Sequence, residues 1–185
     1  MAIKKKLILT IWSTCIPLVI LAAVYMQQLN ATSENEKVKE FLHTMYTVTA
    51  DESTELLANI TSGSLTEEMT NRPLRKKYER LMTRSGFQEA IDSRAIWSHE
   101  ITLAMENSVM TVESIHCAES EFSTPGKPAY QYTAHVKVQA LDSQGTVTFQ
   151  PEGTLYLEKS LTGWKIGRLL VDETSSVDYQ IQAKR

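Results

Sequence analysis

An uncharged, mostly apolar run from Leu7 to Met26 follows three consecutive lysines, Lys4, Lys5 and Lys6, and no further charged residue occurs until Glu34. The run is 20 residues long. A helix rises about 1.5 Å per residue, so it spans roughly 30 Å, the thickness of a bilayer's hydrocarbon core. Trp12 and Tyr25 suit the two interfaces, and Pro17 is tolerated mid-span as a kink. With the lysines on the N-terminal side, the positive-inside rule places residues 1–6 in the cytoplasm and everything after the anchor outside it. The rival reading is a cleaved signal peptide, whose apolar region is about 7–15 residues long and ends in a small-x-small site. This run is longer, and Leu29-Asn30-Ala31 puts a large residue where a small one is needed. The sequence therefore favours an uncleaved anchor at 7–26 with a linker at 27–33. Cys15, inside the span and two residues before Pro17, reads as a small apolar residue, not a lipid-attachment site.

The remainder of the chain is the size of one domain, expected over 34–173 with a polar tail at 174–185. All 22 acidic residues but only 16 of the 19 basic ones lie after Met26, a net charge of −6. An acidic domain argues against a general nucleic-acid-binding surface. Cys117 is the only cysteine beyond the anchor, so this domain has no internal disulfide and relies on its core. An exported domain without disulfides fits a Gram-positive type of envelope. Asn30-Ala31-Thr32 and Asn59-Ile60-Thr61 match the glycosylation pattern, which is short and recurs by chance.

Helical spacing comes first along the domain. Ser33 and Glu36 form a capping box, and Val38, Phe41, Leu42, Met45 and Val48 give one apolar stripe over about 34–49. Asp51 is the expected cap of a second helix carrying Leu56, Leu57 and Ile60, ended by Ser62-Gly63. Ser64 with Glu67, then Asn71 with Pro73, mark further helix starts, and Leu74, Tyr78, Leu81 and Met82 form the apolar side of a third helix stopped by Ser85-Gly86. After Arg94 the period becomes two. Trp97, Ile101, Leu103 and Met105 alternate as a strand, and Val109–Phe122 is a second. A turn at Ser123–Pro128 leads to Tyr130–Ala140, apolar and polar in strict alternation. Thr146–Lys159 is a fourth strand bent at Pro151-Glu152-Gly153, and Trp164–Val171 a fifth. In the tail, Val177, Tyr179 and Ile181 alternate as a weak edge strand, with fraying the preferred expectation. Helices first and hairpin-linked strands second make an α+β roll, with helices covering one face of an antiparallel sheet of four to five strands.

Three leading helices, a long bent meander and a closing Gly163-Trp164-Lys165-Ile166 strand resemble the nuclear transport factor 2-like fold over about Ser33–Asp172. The resemblance implies a sheet wrapped around a helix into a cone with an apolar pocket. It does not imply one function, since the fold hosts isomerases, dehydratases, transport factors and scaffolds. With the short inner tail and single anchor, the whole layout is similar to the bitopic scaffold subunits of type IV secretion and conjugative transfer machines. It is equally similar to small single-anchor envelope proteins.

Few residues carry chemistry. Trp97, His99, Tyr130, Tyr132 and Trp164 are candidates for lining the cone, set against simple core packing. His99, His116 and His135 fall on expected strands. His116 and Cys117 are adjacent, so they point to opposite faces and do not ligate one ion; no metal site is expected. Isomerases of the resembled fold place a pocket carboxylate beside a donor such as tyrosine. Tyr46, Tyr130 and Tyr132 are candidate donors, but no carboxylate falls on an inward strand position. Neither a catalytic residue nor a cofactor is assigned. Arg72, Arg75, Lys76, Lys77, Arg80 and Arg84 form the one basic cluster, read as a stripe on a single helix. The docking reading is an anionic partner: lipid headgroups, an anionic wall polymer, an acidic protein or passing DNA. The plainer reading is a solvated helix face. The expectation is a single-pass membrane protein whose outer domain serves interaction and assembly without catalysis. Its expected partners are the bilayer, other membrane or envelope proteins and a second copy, with no specific nucleic-acid binding. An envelope protein that binds a small apolar ligand is the alternative, and a pocket enzyme of isomerase or dehydratase type the third.

Overall fold

A computed structural model describes residues 34–63, 75–142 and 145–183. The chain divides into two units, Met1–Glu36 and Lys37–Arg185, and the fold is that of the second. The anchor, Lys4–Lys6, Ser33, the caps expected at Ser64 to Pro73, and Arg72 lie outside the described residues.

Helix α1 covers residues 34–45. Val38, Phe41, Leu42 and Met45, at i, i+3, i+4 and i+7, are all buried, the stripe its spacing implies. α2 (Ala50–Thr61) is capped by Thr49, not Asp51. Thr49 is extended, its hydroxyl accepts from the Glu52 N–H, and the Glu52 carboxylate accepts from the Thr49 N–H at 2.8 Å. Gly63 then closes the helix at φ +65°, in the left-handed region.

The third helix differs most from expectation. Among the described residues of this segment, 75–78 are helical and the chain then turns extended. Leu81 O accepts from Ile166 N at 2.8 Å and Ile166 O accepts from Thr83 N at 2.9 Å, so the segment bridges to a strand instead of coiling on. Sheet pairing of the buried Leu81 and Met82 outweighs their helical spacing. Ser85-Gly86 stops nothing: Thr83 caps a new helix, α3 (Arg84–Asp92), which contains both. Gly86 permits contact with the sheet, since a Cβ there would lie 2.4 Å from the Gly167 carbonyl oxygen.

The strand expected at Trp97–Met105 is a helix, α4 (Ser98–Met105). His99, Leu103 and Ala104 form its buried face, with Ile96 buried in the turn just before it, while Met105 is 65 % exposed. The period-two pattern omitted Ile96 and Ala104 and counted an outward methionine.

Five strands complete the sheet: β1 (Ser108–Glu119), β2 (Ala129–Ala140), β3 (Thr146–Phe149), β4 (Glu152–Ser160) and β5 (Gly163–Val171). All pairings are antiparallel, in the order β1-β2-β4-β5, with β3 also paired to β2. β3 and β4 are the expected bent strand, broken at Gln150-Pro151 so that its arms pair with different halves of β2. Tyr130, Tyr132, Ala134, Val136 and Val138 face inward against α1 and α4 side chains in one hydrophobic core. The tail neither frays nor pairs. It forms α5 (Val177–Ala183), with Val177 buried. Val177 and Ile181 both pack on the core at i, i+4 spacing.

Candidate functional site

The end of α1 brings two aromatic groups together. Tyr46 Oη lies 2.9 Å from Tyr132 Oη, both side chains being buried. The Tyr46 ring also stands 5.8 Å from the His99 ring. His99 Nε2 is 2.9 Å from the Met45 carbonyl oxygen. That oxygen only accepts, so Nε2 carries the hydrogen and the neutral ring keeps a lone pair on Nδ1. Burial pushes the His99 pKa down, against the upward pull of Glu100 and of the Met45 carbonyl. Burial first, then Tyr132, raises Tyr46 well above the usual phenol range; burial likewise raises Tyr132. Both phenols are therefore neutral donors and acceptors at physiological pH.

Two clefts flank this group. The first, about 570 Å³, is lined by the end of α1, the 93–95 loop, α4, the end of β5 and the start of α5, with His99 and Tyr46 in its wall. The second, about 640 Å³, is lined by β1, β2, β4 and β5, with Tyr132 beside Cys117 and Gly153. Gly153 makes room for the phenol, since a Cβ there would lie 2.8 Å from Tyr132 Oη. Burial raises the Cys117 thiol, so it is not a reactive thiolate.

Of the other pocket candidates, Tyr130 is buried in the core. Trp97 is half-buried, donates to the Ile91 carbonyl at 3.0 Å and carries Arg94 over its ring. Trp164 is half-buried beneath Lys159. His99 and Tyr132 are thus joined through Tyr46, while Trp97, Tyr130 and Trp164 stand apart. His116 and His135 meet edge-on at 5.8 Å on the outer sheet face. Among the described residues, no group of three or more His, Cys, Asp or Glu side chains is placed to hold a metal ion.

The basic residues do not share one helix. Lys77 reaches Glu100 at 3.0 Å, Glu52 at 3.3 Å and the Thr47 carbonyl at 3.2 Å, tying together three segments. Arg80 pairs with Glu40 at 3.0 Å. Arg75 and Lys76 are exposed on the helical residues 75–78. Arg84 opens α3, and together with Arg75 and Lys165 it rims a cleft of about 430 Å³ with Met82 and Phe87 in its wall. Among the described residues Glu79 is the lone carboxylate there, and its backbone carbonyl accepts from Lys165 Nζ at 3.1 Å. Sequence reading missed Lys165, which nothing local marks. It also missed Asp178, whose helix was signalled by the Val177–Ile181 spacing.

No family model matches the chain, and no curated protein matches it. Among solved structures it is similar to the crystal structure of CagV, a VirB8 homolog of T4SS from Helicobacter pylori strain 26695. Identity is 9 %, the TM-score is 0.47, and the match covers 71 % of this chain and 90 % of that one.

Proposed function

We propose that this chain is a membrane-tethered, extracytoplasmic interaction domain with an assembly role and no catalytic one. A scaffold of a type IV secretion or conjugative transfer machine is its most specific form. The basis for the tether is the Lys4–Lys6 and Leu7–Met26 pattern. Among the described residues no helix is long and apolar enough to cross a membrane, and the pattern lies outside them. A tether raises the domain's effective concentration near membrane partners.

The observation that carries the interaction reading is the cleft of Arg75, Arg84 and Lys165. Among the described residues, three cations and one carboxylate gather over apolar side chains, in a region whose net charge is −6. Such a place suits an acidic segment of a protein partner, because the charge steers the encounter and the apolar wall holds it. The test is affinity purification of the full chain from detergent-solubilised membranes of its native host, beside the Arg75→Glu/Arg84→Glu/Lys165→Glu variant. Defined membrane proteins should accompany the unaltered chain and be depleted at least tenfold with the variant, at unchanged circular dichroism. An identical set of companions with both chains, or none with either, refutes the reading. Protease added to intact protoplasts should cut the C-terminal domain and spare a cytoplasmic control. Equal protection of the two overturns the outward topology.

A further inference from the structure

The cleft of about 570 Å³ beside Tyr46 has a hydrogen-bonding wall in which acceptors outnumber donors. Its serine and threonine hydroxyls have their hydrogens engaged within the protein. Ser98 Oγ donates to Asp178 Oδ2 at 3.1 Å, Thr102 Oγ1 to the Ser98 carbonyl at 3.0 Å, and Ser176 Oγ to the Glu173 carbonyl at 2.8 Å. Ser93 Oγ donates to the Ala90 carbonyl at 3.4 Å. Besides the Tyr179 phenol and the Arg94 guanidinium, what remains is acceptor capacity. His99 Nδ1 holds a lone pair because Nε2 donates to Met45. Among the described residues no donor meets Nδ1, and His99 lines the cleft. A carboxylate has more lone pairs than one serine fills, so Asp178 accepts further bonds. Asp178 and Glu173 outnumber Arg94 in the wall, and Arg94 is drawn aside over the Trp97 ring at 5.7 Å. Met45, Leu169 and Val177 supply buried apolar surface. The volume lies within the range of small-molecule sites.

We infer that this cleft is a binding site for a small molecule carrying a protonated amino group, which donates to His99 Nδ1 and the Asp178 carboxylate while an apolar body rests on Met45, Leu169 and Val177. A ligand that only accepts hydrogen bonds finds no free side-chain donor on the α4 wall. A neutral alcohol satisfies His99 and forfeits the charge. The site is independent of the basic cleft, so either reading stands if the other fails.

The test uses the full chain in detergent micelles with its four histidines labelled by ¹⁵N. The probes are phenethylamine, 2-phenylethanol and ethylbenzene. Phenethylamine should shift the His99 Nδ1 resonance saturably, with a Kd on the order of 1 mM or tighter. 2-Phenylethanol should bind at least fivefold more weakly, and ethylbenzene should leave Nδ1 unmoved. His99→Gln keeps a donor for Met45 and removes the ring acceptor. Phenethylamine affinity, read by saturation transfer, should fall at least tenfold in it. Should His99→Gln unfold, Asp178→Asn serves: it retains an acceptor for Ser98 and should weaken phenethylamine fivefold or more while leaving 2-phenylethanol unchanged. The inference is overturned by no saturable shift up to about 10 mM phenethylamine. Equal shifts at His43, His116 and His135, or unchanged affinity in the folded variants, overturn it as well.

Discussion

The hydroxyl pair of Tyr46 and Tyr132 makes a sharp energetic prediction, because the two oxygens lie 2.9 Å apart and 86 residues apart in sequence, at 2 % and 3 % exposure. A net hydrogen bond in such a place is worth about 0.5–1.5 kcal/mol, while a buried hydroxyl left without its partner costs about 1–3 kcal/mol. Tyr132→Phe orphans the Tyr46 hydroxyl and Tyr46→Phe orphans that of Tyr132. Each single variant should therefore lose about 1–3 kcal/mol. Tyr46→Phe/Tyr132→Phe removes both polar atoms and leaves two rings of nearly the same shape, so it should lose less than about 1 kcal/mol. The singles sum to about 2–6 kcal/mol, well above the double, giving a coupling of more than about 1 kcal/mol. Urea titration of the full chain in mild detergent, followed by tryptophan fluorescence, measures the cycle, and unchanged slopes confirm that midpoints report stability. A drop of 2 kcal/mol corresponds to roughly 4–8 °C in Tm for a domain of this size. Strict additivity, or single losses below about 0.3 kcal/mol, would show that the hydroxyls are hydrated instead of paired and would refute the reasoning.

Gly86→Ala should cost about 1–3 kcal/mol, because its Cβ would lie 2.4 Å from the Gly167 carbonyl oxygen and 2.9 Å from that of Ile166; urea midpoints check it. Lys77→Met should lose about 1–3 kcal/mol by stranding the mostly buried Glu100, and adding Glu100→Gln should recover part of it in the same assay. His99 has a folded pKa held below its unfolded value of about 6.5, so the unfolded chain binds more protons under that pH. Its contribution is fully present above about pH 6.5 and declines by up to about 1.4 kcal/mol per pH unit as pH falls toward the folded pKa. His99→Gln should flatten that slope between about pH 7.5 and 5.5, and an unchanged slope would refute the assignment.

The parts of the fold legible in the sequence are those in which local period and burial coincide. The α1 stripe from Val38 to Met45 and the alternation of Tyr130 to Val138 are such places, since each element has one face on the core. The break at Pro151 was legible for a backbone reason: proline has no N–H for the ladder, and its carbonyl instead accepts from Ala134 N at 3.0 Å. Where period and burial conflict, the reading fails. Trp97 to Met105 alternates by coincidence, and the helix shows only when Ile96 and Ala104 are counted with His99 and Leu103. Leu74 to Met82 has helical spacing, yet the bridge from Leu81–Thr83 to Ile166 exists only once β5 is in place, so tertiary pairing overrides propensity there.

The same distinction governs the candidate sites. The six basic residues from Arg72 to Arg84 looked like one stripe because they are near in sequence, and the fold separates them by purpose. Lys77 and Arg80 are engaged by Glu100 and Glu40, while Arg75 and Arg84 join Lys165, some 80 residues on. Lys77 therefore acts as an internal tie whose loss lowers stability, Arg80 holds an exposed surface pair, and two rim a cleft open to another molecule. The difference is measurable. Reversing Lys77 should shift urea midpoints, whereas reversing Arg84 should leave them within about 0.5 kcal/mol, as for an ordinary surface substitution. A large loss of stability from Arg84→Glu would place that side chain among the ties, and the basic cleft would then lose the feature that distinguishes it from a solvated face.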